Sequence, residues 1–253
     1  MRASVVLTAC LALTAQAQAS PWNRDPGQGL TINRYGYYAA EAEGRRFEQH
    51  SSDFYGEIGI TRRLMAGGKL SYVWQGVEGP GGPASSDALS GFAEGAVFVQ
   101  AEALRWDGGA LSVMAGAAMP TETVSRLNTG RAFGRDGHGG ASVLLGLSEG
   151  PGFLTARIGH ETSFGEDADF LRSEASLGLH LPGEAMLLVE AFDTRSLGGA
   201  APTGVDYDLT QVAPSLVVRL SERFRLQLGA TMDVSGRRVD LGTGGFVALW
   251  VGE

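Results

Sequence analysis

Cysteine is almost missing from this chain: Cys10 is the only one among 253 residues. A disulfide is therefore excluded, and so is any site built from several thiolates. No apolar run reaches the ~18 residues or more that a membrane-crossing helix needs. Basic residues are also in deficit. Twenty Lys and Arg stand against 28 Asp and Glu, for a formal charge of −8, which argues against a nucleic-acid partner. Only four histidines are present, so a histidine-rich metal centre is not expected and no cofactor is implied. What the chain has in abundance is glycine, 38 residues of it.

The first residues have the layout of a secretory signal peptide. Arg2 supplies positive charge, Val5 to Ala15 an apolar core, and Ala17-Gln18-Ala19 a small-x-small cleavage site. We expect residues 1–19 to be removed and 20–253 to form a single domain starting at Ser20, with cleavage after Ala17 as the near alternative. Leu7-Thr8-Ala9-Cys10 has some likeness to a lipobox, but the apolar core runs through Cys10 to Leu13. Lipidation is the weaker reading. Without Cys10 the mature domain has no cysteine.

The stretch Phe224 to Asp233 alternates strictly: Phe224, Leu226, Leu228, Ala230 and Met232 are apolar, and the residues between them are polar, charged or glycine. That is a strand with one apolar and one polar face. Eleven further stretches follow the same rule, near 30–40, 54–62, 69–77, 92–106, 111–119, 141–147, 154–159, 171–181, 184–194, 207–220 and 242–251. Five connections carry short turn sequences, around Ala66-Gly67-Gly68, Asp107-Gly108-Gly109, Glu149 to Gly152, Pro182-Gly183 and Ser221 to Arg223. Six others, near 41–53, 78–91, 120–140, 162–169, 195–206 and 234–241, read as longer polar loops. Short and long alternate along the chain. An all-β, transmembrane, antiparallel up-and-down β-barrel of about 12 strands explains this, with long loops at one end and short turns with both termini at the other. A soluble all-β sandwich is the alternative.

Several segments together resemble uncharacterised proteobacterial outer-membrane barrels. They are Trp22 to Gly29 before a tyrosine-rich strand, Asp53 to Leu64, Ala118-Met119-Pro120-Thr121, and Gly139-Gly140-Ala141 leading to Leu145-Gly146. The resemblance extends loosely to channel proteins of the MetA-pathway (phenol degradation) type. It implies an outer-membrane barrel and a channel for small molecules, and carries no catalytic residues with it. Outer-membrane lipid, lipopolysaccharide and the outer-membrane assembly machinery are the partners expected of such a chain. One departure concerns the last strand, where Trp250 is followed by Val251-Gly252-Glu253 instead of ending the chain.

If the apolar faces meet lipid, the charges on the other faces meet the lumen. We expect Glu57, Glu94, Glu102, Arg157, Arg172, Glu174, Glu190, Arg219, Arg225 and Asp233 to line it, with Glu161 beside them. Arginines concentrate on late strands and Glu57, Glu94 and Glu102 on early ones, which predicts a field across the lumen; the equal alternative is that the charges pair across the lumen and plug a narrow barrel. The aromatics, among them Tyr35, Tyr38, Tyr55, Trp74, Phe98, Phe170, Tyr207 and Trp250, read as interfacial girdles, with ordinary sheet packing as the alternative. The acidic run Gly165 to Asp169 reads as solvated charge.

For hydrolysis, only His160-Glu161-Thr162-Ser163 brings a histidine and hydroxyls together, on a face that looks outward. No nucleophile motif accompanies it, so the expectation is a non-enzyme. A passive channel for small polar or amphipathic solutes is the first reading. The second is a non-conducting surface barrel whose loops bind a partner, polysaccharide or lipopolysaccharide, and a lipid-modifying barrel comes third.

Overall fold

The computed structural model describes residues 20–42, 45–78, 89–120, 136–202 and 204–252. The signal-peptide region 1–19 and most of the loops expected near 78–91 and 120–140 lie outside them. Twelve strands form the wall: β1 (Gly29–Ala42), β2 (Arg45–Thr61), β3 (Leu64–Glu78), β4 (Leu89–Trp106), β5 (Gly109–Pro120), β6 (His138–Glu149), β7 (Gly152–Ser163), β8 (Phe170–Leu181), β9 (Ala185–Ser196), β10 (Asp208–Arg219), β11 (Phe224–Arg237) and β12 (Gly242–Gly252). Each pairs antiparallel with its sequence neighbours, and β1 pairs with β12 from Leu30↔Gly252 to Ala40↔Gly242. The sheet is closed, so no edge strand remains to be satisfied.

Alternation sets the two surfaces. Val97, Val113, Val143, Ile158, Leu177 and Leu228 are exposed on the outside, an apolar band with the make-up of a lipid-facing surface. Gln49, Ser71, Gln100, Ser112, Ser176 and Gln211 are buried inside. The sheet absorbs four register shifts, at Gly59/Thr61, Ser71/Tyr72, Glu102/Leu104 and Thr210/Gln211. Turns such as Asp107-Gly108 are two residues long, and Gly108 adopts φ 75° there, a conformation that costs glycine little.

Three sequence expectations are corrected. The expected loop 41–53 is mostly strand: β2 begins at Arg45 and pairs with β1 as far as Ala42↔Arg45. Residues Arg46 to Asp53 are polar on nearly both faces, so no apolar contrast marks them as strand. Likewise Ala66-Gly67-Gly68 is no turn. It lies inside β3, and the turn is Arg62-Arg63. A Cβ at Gly67 would run into the Phe98 ring, and one at Gly68 would stand 2.9 Å from the Ala96 carbonyl. These glycines answer to close packing across the barrel, not to chain reversal.

The aromatic girdles are the third correction. Tyr35 and Trp74 point outward, but Tyr38, Tyr55, Phe170 and Tyr207 are buried inside, filling a lumen that the girdle reading left to charged residues.

Val143 sits midway along β6, and a charge there would face outward. Val143→Arg is expected to destabilise the barrel by ~2–4 kcal/mol when folded into bilayers. Urea titration of the protein in vesicles measures it, with Ser142→Ala on the opposite face as the smaller comparison.

Candidate functional site

The interior is reached first through the segment before β1. Residues Ser20 to Gln28 do not hang free but lie in the turn-side mouth of the barrel. Two prolines make this possible, since Pro21 and Pro26 bring no N–H that would need a partner. Gln100 Nε2 donates to the Ser20 carbonyl at 2.7 Å and to Asn23 Oδ1 at 3.0 Å. Ser112 Oγ donates to the Pro21 carbonyl at 2.6 Å. Arg24 Nε pairs with Glu57 at 2.7 Å, and Tyr55 donates to the same carboxylate at 2.5 Å. Glycines give the segment its berth: a Cβ at Gly146 would meet Pro21 and Trp22, and one at Gly59 the Arg24 and Asp25 carbonyls. Pro26 and Gly59 form a parallel bridge.

Above this segment the inner wall carries charge in pairs. Arg157 meets Glu174 at 3.1 Å and Arg172 meets Glu161 at 2.7 Å. Glu102 is bound by Arg105 at 2.5 Å, and Arg219 by Glu184 at 3.0 Å near the turns. Asp233 accepts from Tyr38 and Gln211, each at 2.5 Å, and from the Gly242 N–H at 2.9 Å. Glu190 faces Arg34 electrostatically, and Glu94 faces Lys69 and Arg172. Arg225, at the turn-side end of β11, has no partner among the described residues. A full charge left unpaired in a dry interior is costly, which favours this local neutralisation.

The field expected across the lumen is therefore absent in that simple form. Arg24, Arg34, Lys69 and Arg105 stand on the early strands or the segment before them. Glu161, Glu174, Glu190 and Asp233 stand on the late ones. Sequence reasoning missed Arg34, Asp53 and Lys69. Asp53 lay in the expected loop 41–53 and Lys69 beside the expected turn. Arg34 follows Asn33, so polarity alternates on neither side of it. Arg34 stacks on the Phe246 ring at 3.7 Å and donates to Thr231 Oγ1 at 3.4 Å.

A greater surprise is apolar. Leu30, Ile32, Met186, Leu188, Val217 and Ala248 are buried on the inner face. With Phe153 and Trp250 they make two joined clusters, anchored where Trp250 Nε1 donates a hydrogen bond to Gln227 Oε1 at 2.9 Å. They bound a cavity of about 680 Å³ that Arg34, Arg219, Arg225 and Glu190 also line.

At the loop end a second apolar cluster joins Ala168, Phe170, Val205, Tyr207 and Leu209. The acidic run 165–169 is not simply solvated. Asp167 is buried and accepts from the Val205 N–H at 2.9 Å, while Asp169 accepts from the Ser163 N–H at 3.0 Å. The carboxylates staple one loop to its neighbours. Partial desolvation pushes the Asp206 carboxyl up, but hydrogen bonds from Ser196 and Arg237 and the charges of Arg237 and Arg238 hold it below the usual range.

The outward pair His160 and Thr162 is in place, Thr162 Oγ1 lying 3.4 Å from His160 Nδ1. Asp169 stands 3.9 Å from Nε2, too far to orient the ring by a hydrogen bond. The backbone around His160 is committed to the β6 and β8 ladders, which leaves no pair of amides for an oxyanion. Gly59→Ala would drive its Cβ into the Arg24 and Asp25 carbonyls and displace the segment Ser20 to Gln28. Its expected effect is release of that segment from the mouth, read as trypsin cleavage after Arg24 at least severalfold faster than in the unaltered protein.

No protein-family model and no curated protein matches the sequence. Solved structures do match the fold. The COG4313 outer membrane channel from Pseudomonas putida F1 is similar over 93% of this chain and 99% of its own, with a TM-score of 0.68 and 12% identity. The NanC porin matches 87% of this chain and 98% of its own, at 0.61 and 8%. The KdgM porin in complex with disordered oligogalacturonate matches 88% and 98%, at 0.56 and 4%. The chain thus has a closed 12-stranded barrel whose fold is similar to that of these channels and porins.

Proposed function

We propose that this chain is an outer-membrane channel that passes small polar or amphipathic solutes by passive diffusion. The observation that carries this reading is the cavity of about 680 Å³ inside a closed barrel, bounded by apolar side chains together with Arg24, Arg34, Arg219, Arg225, Glu184 and Glu190. An apolar outer band and the likeness in fold to channels and porins support the same reading. A leader of residues 1–19, removed before Ser20, fits a segment whose Ser20 carbonyl is already bound inside the mouth. The outer-membrane assembly machinery would insert such a chain, and lipid and lipopolysaccharide would surround it.

In this reading Glu57, Glu94, Glu102, Arg157, Arg172, Glu174, Glu190, Arg219, Arg225 and Asp233 flank the path of the solute. Their pairing leaves a field that changes sign over short distances, suited to polar molecules more than to one class of ion. The second reading, a non-conducting barrel that binds a partner through its loops, draws on the packed loop cluster around Phe170 and Tyr207. Planar-bilayer recording of the refolded protein separates the two. Discrete, ohmic steps in 1 M salt are expected of a channel. A silent bilayer with correctly folded protein would shift the weight to the loops.

A further inference from the structure

We propose that the turn-side cavity is a binding site for amphipathic monocarboxylates, with the carboxylate on Arg225 and the apolar body among Ile32, Met186, Leu188, Val217 and Trp250. This deepens the channel reading and rests on it for direction of travel, though not for binding itself.

Size comes first. A cavity of about 680 Å³ falls in the range that small-molecule sites occupy, ~300–1,000 Å³. Its shape follows from four strands that break the usual rule for the inner face. Leu30 and Ile32 of β1, Met186 and Leu188 of β9, Val217 of β10 and Ala248 and Trp250 of β12 all turn apolar groups inward. Apolar surface facing a watery lumen is unfavourable by ~25 cal/mol for each Å² left wet. A solute that covers it recovers that free energy. A sugar or a small inorganic ion covers none of it.

Charge selects the head group. Four arginines line the cavity, Arg24, Arg34, Arg219 and Arg225, against two glutamates, Glu184 and Glu190. Arginine thus outnumbers glutamate on this lining, in a chain whose net charge is −8. Two of the arginines are already held, Arg24 by Glu57 at 2.7 Å and Arg219 by Glu184 at 3.0 Å. Arg34, at the deep end, is stacked on Phe246 and faces Glu190 and Asp53. Arg225 alone of the four has neither carboxylate nor ring among the described residues.

Its position suits the task. In the register of β11, Arg225 lies opposite Arg219 on one side and Trp250 on the other. A carboxylate there would meet a free guanidinium, able to bind it through two parallel N–H donors, with the Glu184-bound Arg219 one strand away. From that point the apolar belt runs inward, past Trp250 and Val217 to Leu188 and Ile32. A cation of the same shape would be repelled at the mouth. A neutral analogue would leave Arg225 with water alone.

The test uses the full-length mature barrel, refolded and checked by circular dichroism, with 2-naphthoate and octanoate as probes. 2-Naphthylmethylammonium, 2-naphthamide and acetate are the comparisons. Binding is read by calorimetry in detergent micelles, and block of ionic current in planar bilayers. The two carboxylates with apolar bodies are expected to bind and to interrupt the current; acetate and the ammonium compound are not. Arg225→Gln should weaken binding roughly tenfold or more, Arg225→Lys should restore part of it, and Val217→Asp should weaken it by a similar factor. Equal binding of the carboxylate and the ammonium compound would overturn the proposal. So would affinity that survives both Arg225→Gln and Val217→Asp, which marks partition into the micelle. A conducting barrel that the naphthoate neither binds nor blocks sinks this site and leaves the channel standing. A silent barrel that binds naphthoate through Arg225 sinks the channel and keeps the site.

Discussion

Closure of the sheet is the constraint from which the remaining features follow. Once Leu30 of β1 pairs with Gly252 of β12, and the ladder continues to Ala40 and Gly242, every strand has two neighbours. Backbone N–H and C=O groups are then satisfied within the wall, the condition for placing strands in hydrocarbon. Closure also divides the side chains into two populations that cannot exchange, because a slip of one residue would carry a whole strand's apolar set to the inside. Ile58, Val97, Val143 and Leu177 outside, and Gln100, Ser112 and Gln211 inside, are consequences of one register.

The inside must then solve a problem of charge. Confined in a narrow lumen, carboxylates and guanidinium groups interact far more strongly than on an open surface. The chain answers by setting opposite charges on adjacent strands. Arg157 of β7 meets Glu174 of β8, and Arg172 of β8 meets Glu161 of β7. The segment before β1 takes part in the same economy, with Arg24 carried in to Glu57. What remains unpaired stands out by contrast, and Arg225 beside an apolar belt is the clearest case.

Much of this could be read from the residues. Strand number and the outward faces of β5, β6, β11 and β12 follow from period-two alternation. Where alternation carries no contrast, reading fails. Arg46 to Asp53 is polar on nearly every position, since one face looks into a wet lumen and the other rises toward the loop end, so the start of β2 was invisible. Gly67 and Gly68 look like a turn because composition cannot tell a reversal from a close approach of Phe98. Leu188 and Val217 share a face with Glu190 and Arg219 by alternation, but no local rule says that this inner face gathers apolar groups into a cluster.

The sequence by itself determined an all-β chain of about twelve alternating strands, because the period of side-chain alternation is a local property of the backbone. Tertiary structure alone decided which residues share the lumen. Arg34, Asp53 and Lys69 meet there across strands distant in sequence. Ser20 to Gln28 is drawn into the mouth by Gln100, Ser112 and Glu57. The apolar belt from Leu30 to Trp250 exists only because closing the barrel brings β1, β9, β10 and β12 to one side of it. Those contacts depend on register around the whole ring, a quantity no single strand encodes.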